Sequence, residues 1–277
     1  MRRHSSFAYS ATALFALACA TPSGDGACPK GTQAAEKRNN AGLERWCENP
    51  AAPKAVQREG PTSVWNPNGV LVTQGNYHGS LEEGTWTYWN DTGGLWKTVE
   101  YRAGKENGLV THWFAPGKKE HEGEYKDGLP DGRSSIWFAN GKLDTLGQYR
   151  EGKETGTWSY WYDNGQLKEQ GEYRDGKRAG RWLGWFANGS PSYDAVMNGD
   201  LRDGPFRQWY ENGQLVLEGS FSGDFPDGAW RSWYPDGTLH SESTFIKGKA
   251  EGHAREWTET GELRADTVWA DGKPVSQ

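Results

Sequence analysis

The sequence predicts an all-β protein, an elongated single-layer antiparallel β-meander built from 24-residue β-hairpin repeats, and three observations lead there. Tryptophan recurs at Trp65, Trp89, Trp113, Trp137, Trp161, Trp185, Trp209, Trp233 and Trp257, each 24 residues after the last with no insertion or deletion between them. A fixed period of this length marks one small supersecondary unit stacked on copies of itself. A glycine follows each of these tryptophans by four residues, at Gly69, Gly93, Gly117, Gly141, Gly165, Gly189, Gly213, Gly237 and Gly261, and Asn or Asp precedes six of them. That is the mark of a hairpin turn with glycine at positive φ. The composition agrees: 38 Gly, 16 Trp and 13% aromatics against only 34% hydrophobic residues describe many short strands and tight turns without a large conventional core.

The N-terminus carries Arg2 and Arg3, a small and apolar run from Phe7 to Ala18, and then Cys19. This pattern reads as an export signal, too short to span a membrane. The stretch from Phe15 to Cys19 resembles a bacterial lipobox, whose cysteine is diacylated and becomes the first mature residue; ordinary cleavage at Ala18-Cys19-Ala20 is the alternative. Setting Cys19 aside leaves Cys28 and Cys47, an even pair in an exported chain, and a bridge between them is worth on the order of 3 kcal/mol. The expected organisation is a signal peptide over 1–19, a tether over 20–27, a disulfide-containing cap over 28–64, the array over 65–272 and a tail over 273–277. The cap matters because an unprotected first strand would offer its backbone donors to other chains.

Within a repeat, two turn types compete: a two-residue type I′ turn centred on Asn-Gly, and a three-residue type I turn closed by a bulge glycine. The three-residue turn sets Trp161 opposite Leu167, and simple alternation then puts Gly171 and Tyr173 on the same face. In that register the nine periodic tryptophans form the structural core. Leucine fills the second slot after most turns, and a bulky side chain, from Tyr77 through Tyr173 to Trp269, fills the eighth. A second glycine set, Gly84, Gly108, Gly132, Gly156, Gly180, Gly204, Gly228 and Gly252, is expected at the turns between units. Two strands per 24 residues, about seventeen in all at a spacing of about 4.8 Å, make a twisted ribbon about 80 Å long.

The pattern W-[YF]-x-[ND]-G-x-L-x-x-x-G-x-[YF]-x-x-G, as in Trp161-Tyr162-Asp163-Asn164-Gly165-Gln166-Leu167 through Gly171-Glu172-Tyr173, resembles the bacterial MORN-repeat variant over residues 65–272. The resemblance implies open antiparallel sheets that bind proteins or lipids, and many bacterial members look like the antitoxin of a toxin–antitoxin pair. The chain departs from the pattern at Val99, Ala195, Ser243 and Thr267, where the mid-strand glycine is lost, and these units are expected to be looser copies. An exported start fits an anchored scaffold of the cell envelope better than a cytoplasmic antitoxin.

Chemistry has no visible home. Neither a G-x-S-x-G nucleophile context nor a phosphate loop occurs, and the carboxylates repeat with the units, as a solvated strand face requires and a catalytic pair does not. The Asp-Gly pairs read as turns and lack the alternating carboxylates of a calcium loop. The six histidines, at positions 4, 78, 112, 121, 240 and 253, show no metal-ligand spacing, so neither metal nor cofactor is expected. The 31 basic and 37 acidic side chains are interspersed, which argues against nucleic acid. Trp86, Phe114, Phe138, Trp158, Tyr162, Trp182, Phe186, Phe206, Tyr210, Trp230 and Tyr234 occupy the other face in more variable slots, which suits a binding surface because Trp and Tyr anchor interfaces. The alternative is that these rings pack under their neighbours. The expected function is a non-enzymatic, envelope-anchored scaffold for a protein partner, with an antitoxin or immunity role as one form of it. A glycan or cell-wall binder is the competing reading, and contact with the membrane is by lipid anchor alone.

Overall fold

The computed structural model describes residues 27–275, so the expected export signal, Cys19 and the expected tether up to residue 26 lie outside the described residues. Among the described residues, twenty-two strand segments form one antiparallel sheet, each pairing with its neighbours along the chain. The single helical element among them is a short 3-10 turn, Lys54–Val56. No helix is long and apolar enough to cross a membrane. The architecture is the open meander of hairpins that the 24-residue period predicts.

One unit explains the rest. Strands Lys153–Trp161 and Leu167–Arg174 are joined by a three-residue turn in which the Gly165 N–H donates to the Tyr162 carbonyl at 2.8 Å and the Tyr162 N–H to the Gln166 carbonyl at 2.9 Å. Gly165 closes it at φ +91°, where a side chain would be strained. Trp161 stands opposite Leu167, as expected, but the next pair is Tyr160 with Glu169. Lys168 is left unpaired, a β-bulge that advances the ladder by one residue. The expectation that Gly171 and Tyr173 share a face with Trp161 is therefore wrong: they share it with Trp158 and Tyr160, because one unpaired residue exchanges the faces of everything beyond it.

The second glycine set also lies elsewhere than expected. Units are joined by two-residue turns such as Asp175-Gly176, flanked by the pair Arg174 and Lys177. Both turn residues have positive φ, 52° and 82°, as a type I′ turn requires. Gly180 and its equivalents sit four residues further on, inside the strand. Residues 180–182 there stand opposite the single Gly171, between the pairs Glu172–Ala179 and Gln170–Leu183.

This wide bulge lets the Trp182 indole fold back over Gly171, into space that a Cβ would occupy. The same lock joins Trp86 to Gly75, Trp158 to Gly147 and Trp230 to Gly219. Each indole N–H donates to the carbonyl of the residue after its glycine, Asn76, Gln148, Glu172 or Ser220, at 3.1–3.2 Å. An aromatic from the eighth slot closes edge-on, with centroid separations of 4.9 Å for Tyr77–Trp86, 5.1 Å for Tyr173–Trp182 and 4.8 Å for Phe221–Trp230. This face is the core. Two of the four units without the glycine are repacked, contrary to the expectation of looseness: Val99 pairs with Val110 and both are buried, and the buried Ala195 pairs with Phe206, whereas Ser243 and Thr267 stay partly exposed. Where the lower residue grows, the one above it shrinks, which keeps the packed volume nearly constant.

Both rims are stitched between units. Along one, the turn amides reach the next turn, Asn140 to the Asp163 carbonyl at 2.8 Å and Asn164 to the Ala187 carbonyl at 2.7 Å. Along the other, the Gly176 N–H donates to the Glu154 carbonyl at 3.0 Å, and the Gly128 and Gly152 amides repeat the contact at 2.9 and 2.8 Å. At the N-terminal end, strands Gln33–Asn39 and Gly42–Glu48 extend the same sheet onto strand Arg58–Trp65. Cys28 and Cys47 are bridged, with a Cα separation of 5.5 Å. Next to the bridge, the Arg58 guanidinium stacks on the rings of Trp46 and Tyr77 at 5.0 and 5.2 Å.

Candidate binding surface

The eleven aromatics expected to recognise a partner do lie on one side of the sheet, but it is the packed side. Trp86, Trp158 and Trp182 are only 4%, 5% and 0% exposed, and Phe206 and Trp230 are half-buried beside Phe221. That part of the expectation is corrected: an indole laid on a glycine and covered by an edge-on ring offers no surface. Tyr162, Tyr210 and Tyr234 donate their hydroxyls to the carbonyls of Trp185, Trp233 and Trp257 at 3.0, 3.1 and 2.9 Å, linking each unit to the next. Phe138 and Phe186 are half-buried in equivalent slots, whereas Phe114 is 45% exposed. Burial pushes the Tyr193 and Tyr160 hydroxyls well above the ordinary phenol range, helped by hydrogen bonds to Glu169 and Tyr173.

The opposite face carries the nine periodic tryptophans. Trp161 alternates with Ser159 on its strand and pairs with Leu167, so all three point away from the glycine–indole locks. Unit by unit the pairs run Trp65–Leu71, Trp89–Leu95, Trp137–Leu143, Trp161–Leu167, Trp209–Leu215, Trp233–Leu239 and Trp257–Leu263, with Lys119 and Pro191 replacing leucine in the other two. The result is an apolar stripe of alternating Trp and Leu along the Asn-Gly rim. All nine indoles are partly exposed. Among the described residues none of their N–H groups has a partner in the protein, whereas Trp86, Trp158, Trp182 and Trp230 each donate one hydrogen bond.

Charged pairs border the stripe on the same face. Arg181 holds Asp194 through two contacts of 2.9 and 2.7 Å, Arg207 reaches Glu218 at 3.3 Å, and Arg255 bridges Glu242 and Asp266 at 3.0 and 3.1 Å. A hydrogen bond from His253 and the contact with Arg255 hold the Asp266 carboxyl below its ordinary range. An apolar band with open N–H donors and a charged margin has the composition of a binding surface.

Three units of the array are similar to a known repeat family. Residues 154–175, 202–222 and 226–247 match the MORN repeat variant family, and each match falls on one hairpin of the ladder described above. No curated protein matches the chain. Among solved structures, a chain of the crystal structure of TcdB2-TccC3-Cdc42 aligns with it at 10% identity and a TM-score of 0.17, over 83% of this chain and 17% of that one. This likeness is too slight to bear on fold or function. The units make the chain a repeat protein of stacked hairpins. Sequence reasoning missed which of their two indole sets is accessible, and the signal was present in the eleven-residue coupling of Gly75 with Trp86, Val99 with Val110 and Ala195 with Phe206.

Proposed function

We propose that this protein is a non-catalytic, envelope-anchored scaffold that holds a partner protein along its Trp–Leu stripe. The observation that carries this reading is the row of nine partly exposed indoles with free N–H groups on one face. Trp is the residue type that most often dominates interface energies, and a contiguous apolar band invites a second surface. The Cys28–Cys47 bridge supports an oxidising, exported setting. Anchoring through a lipid on Cys19 is part of the proposal, as is the finer form in which the partner is a toxin and the scaffold an antitoxin or immunity factor.

The test is co-purification from detergent-solubilised envelope. A single stoichiometric protein partner that is lost with Trp161→Ala plus Trp185→Ala, while circular dichroism shows the variant still folded, supports the scaffold. Capture that survives this change refutes the stripe as the docking surface. The even spacing of the indoles, two strands or about 9.6 Å per unit, favours one second reading, a repeating glycan stacked on the rings. Retention on isolated cell wall, abolished by the same two substitutions, would select it.

A further inference from the structure

One unit breaks the glycine–indole pattern in a chemically specific way. Ser134 stands where Trp158 and Trp182 stand in other units, and Gly123 is covered by the His121 ring instead of an indole. His121 is directly opposite His112 on the neighbouring strand, with ring centroids 5.7 Å apart. His121 Nε2 lies 3.3 Å from the Ser134 hydroxyl. His112 Nε2 is buried and has no hydrogen-bond partner, a costly state for a ring nitrogen. Next in sequence to His121 is Glu120, the unpaired bulge residue of its strand, exposed and close enough for its charge to act on both rings.

We infer that His112, His121 and Glu120 form a site for a divalent transition-metal ion of the zinc or copper class. A metal bound through an imidazole nitrogen at about 2 Å places the ring centroid about 3 Å away, so two rings on one ion stand about 5 to 6 Å apart. The observed separation meets that condition with the backbone unchanged. Among the described residues no three ligating side chains are already gathered, and rotation of the exposed Glu120 side chain completes the set. Lys97, opposite His112 on the other side, is the one nearby cation facing the pair, and Glu106 at 3.7 Å partly neutralises it. The two histidines are nine residues apart in the chain, and only the hairpin register brings them together.

Electron paramagnetic resonance of Cu2+ added to the chelator-treated full chain tests the site directly. Hyperfine structure from two imidazole nitrogens is expected, together with a rise in melting temperature on adding Zn2+. The double substitution His112→Gln/His121→Gln should weaken copper binding at least about tenfold, and Glu120→Gln by less, since it leaves both nitrogens in place. A wild-type spectrum with fewer than two imidazole nitrogens overturns the assignment even if the double variant fails to fold. So does a spectrum that the folded double variant reproduces.

Discussion

The two sets of tryptophan in this sheet differ in regularity and in burial, and the two properties run opposite ways. The nine at 24-residue intervals never vary, yet all are partly exposed and without hydrogen-bond partners. The set that includes Trp86, Trp158, Trp182 and Trp230 gives way in other units to Val110, Ser134, Phe206 and Ala254, yet it forms the core. A core position tolerates change when its partner changes with it, as Ala195 and Phe206 do. On the open face the partner changes from Leu167 to Lys119 or Pro191 while the tryptophan stays, so its uniformity along the chain does not follow its cross-strand neighbour.

The sharpest way to break this contrast is to delete one indole from each set. Trp182→Ala should cost about 3–5 kcal/mol, because it empties a buried site over Gly171. Trp161→Ala should cost about 1 kcal/mol or somewhat more, the loss of part of an exposed side chain's contact area. Chemical denaturation of the two variants measures both, and equal costs would erase the distinction. Next in size is the bridge: replacing Cys28 and Cys47 by Ser should remove about 3 kcal/mol, read as early loss of structure at the N-terminal strands.

A smaller effect sharpens the comparison further. Gly171→Ala alone should destabilise by about 1–3 kcal/mol through overpacking against Trp182. The pair Gly171→Ala/Trp182→Phe, which copies Ala195 and Phe206, should be less destabilised than the two single costs predict, and a double-mutant cycle reports the coupling. Additive costs would mean that the two positions do not share a packed volume. The mildest test is acid. Glu59, held low by the Gly79 amide and His78, Asp224, held low by Arg202, and Asp266, held low by His253 and Arg255, have carboxyl pKa values below the ordinary range. Groups shifted this way contribute stability above their unfolded pKa and lose it as pH falls through the folded one. The difference in melting temperature between the wild type and Asp266→Asn should therefore stay level from neutrality down to the ordinary carboxylate range and shrink below it.

The hairpin period, the three-residue turn and the Trp161–Leu167 pairing were legible in the chain, because Asn-Gly turns and exact spacing are local signals. The faces were not, because Lys168 and its equivalents drop out of the ladder and nothing in their side chains announces it: the slot holds Val72, Trp96, Glu120, Asp144, Lys168, Ser192, Val216, His240 and Arg264. Alternation counted across that slot therefore assigned Gly171 and Tyr173 to the wrong side. The locks themselves were readable in principle, since an indole needs a glycine beneath it and the two stand eleven residues apart. The pairing of His112 with His121 needed the register, which sequence spacing alone does not supply.

The bridge between Cys28 and Cys47 gives the ladder a direction. One end is tethered by a covalent clasp, while the other closes on Lys273–Pro274, a two-residue strand against Trp269 and Ala270. In a stack held by nearest neighbours, fraying starts where the last unit has the fewest of them. The covalent bridge withholds that freedom from the N-terminal strands, and amide exchange there should be slower in the bridged protein than after reduction. A partner gripping several units at once would have least to gain beside the clasp, where the covalent bridge already holds neighbouring strands together.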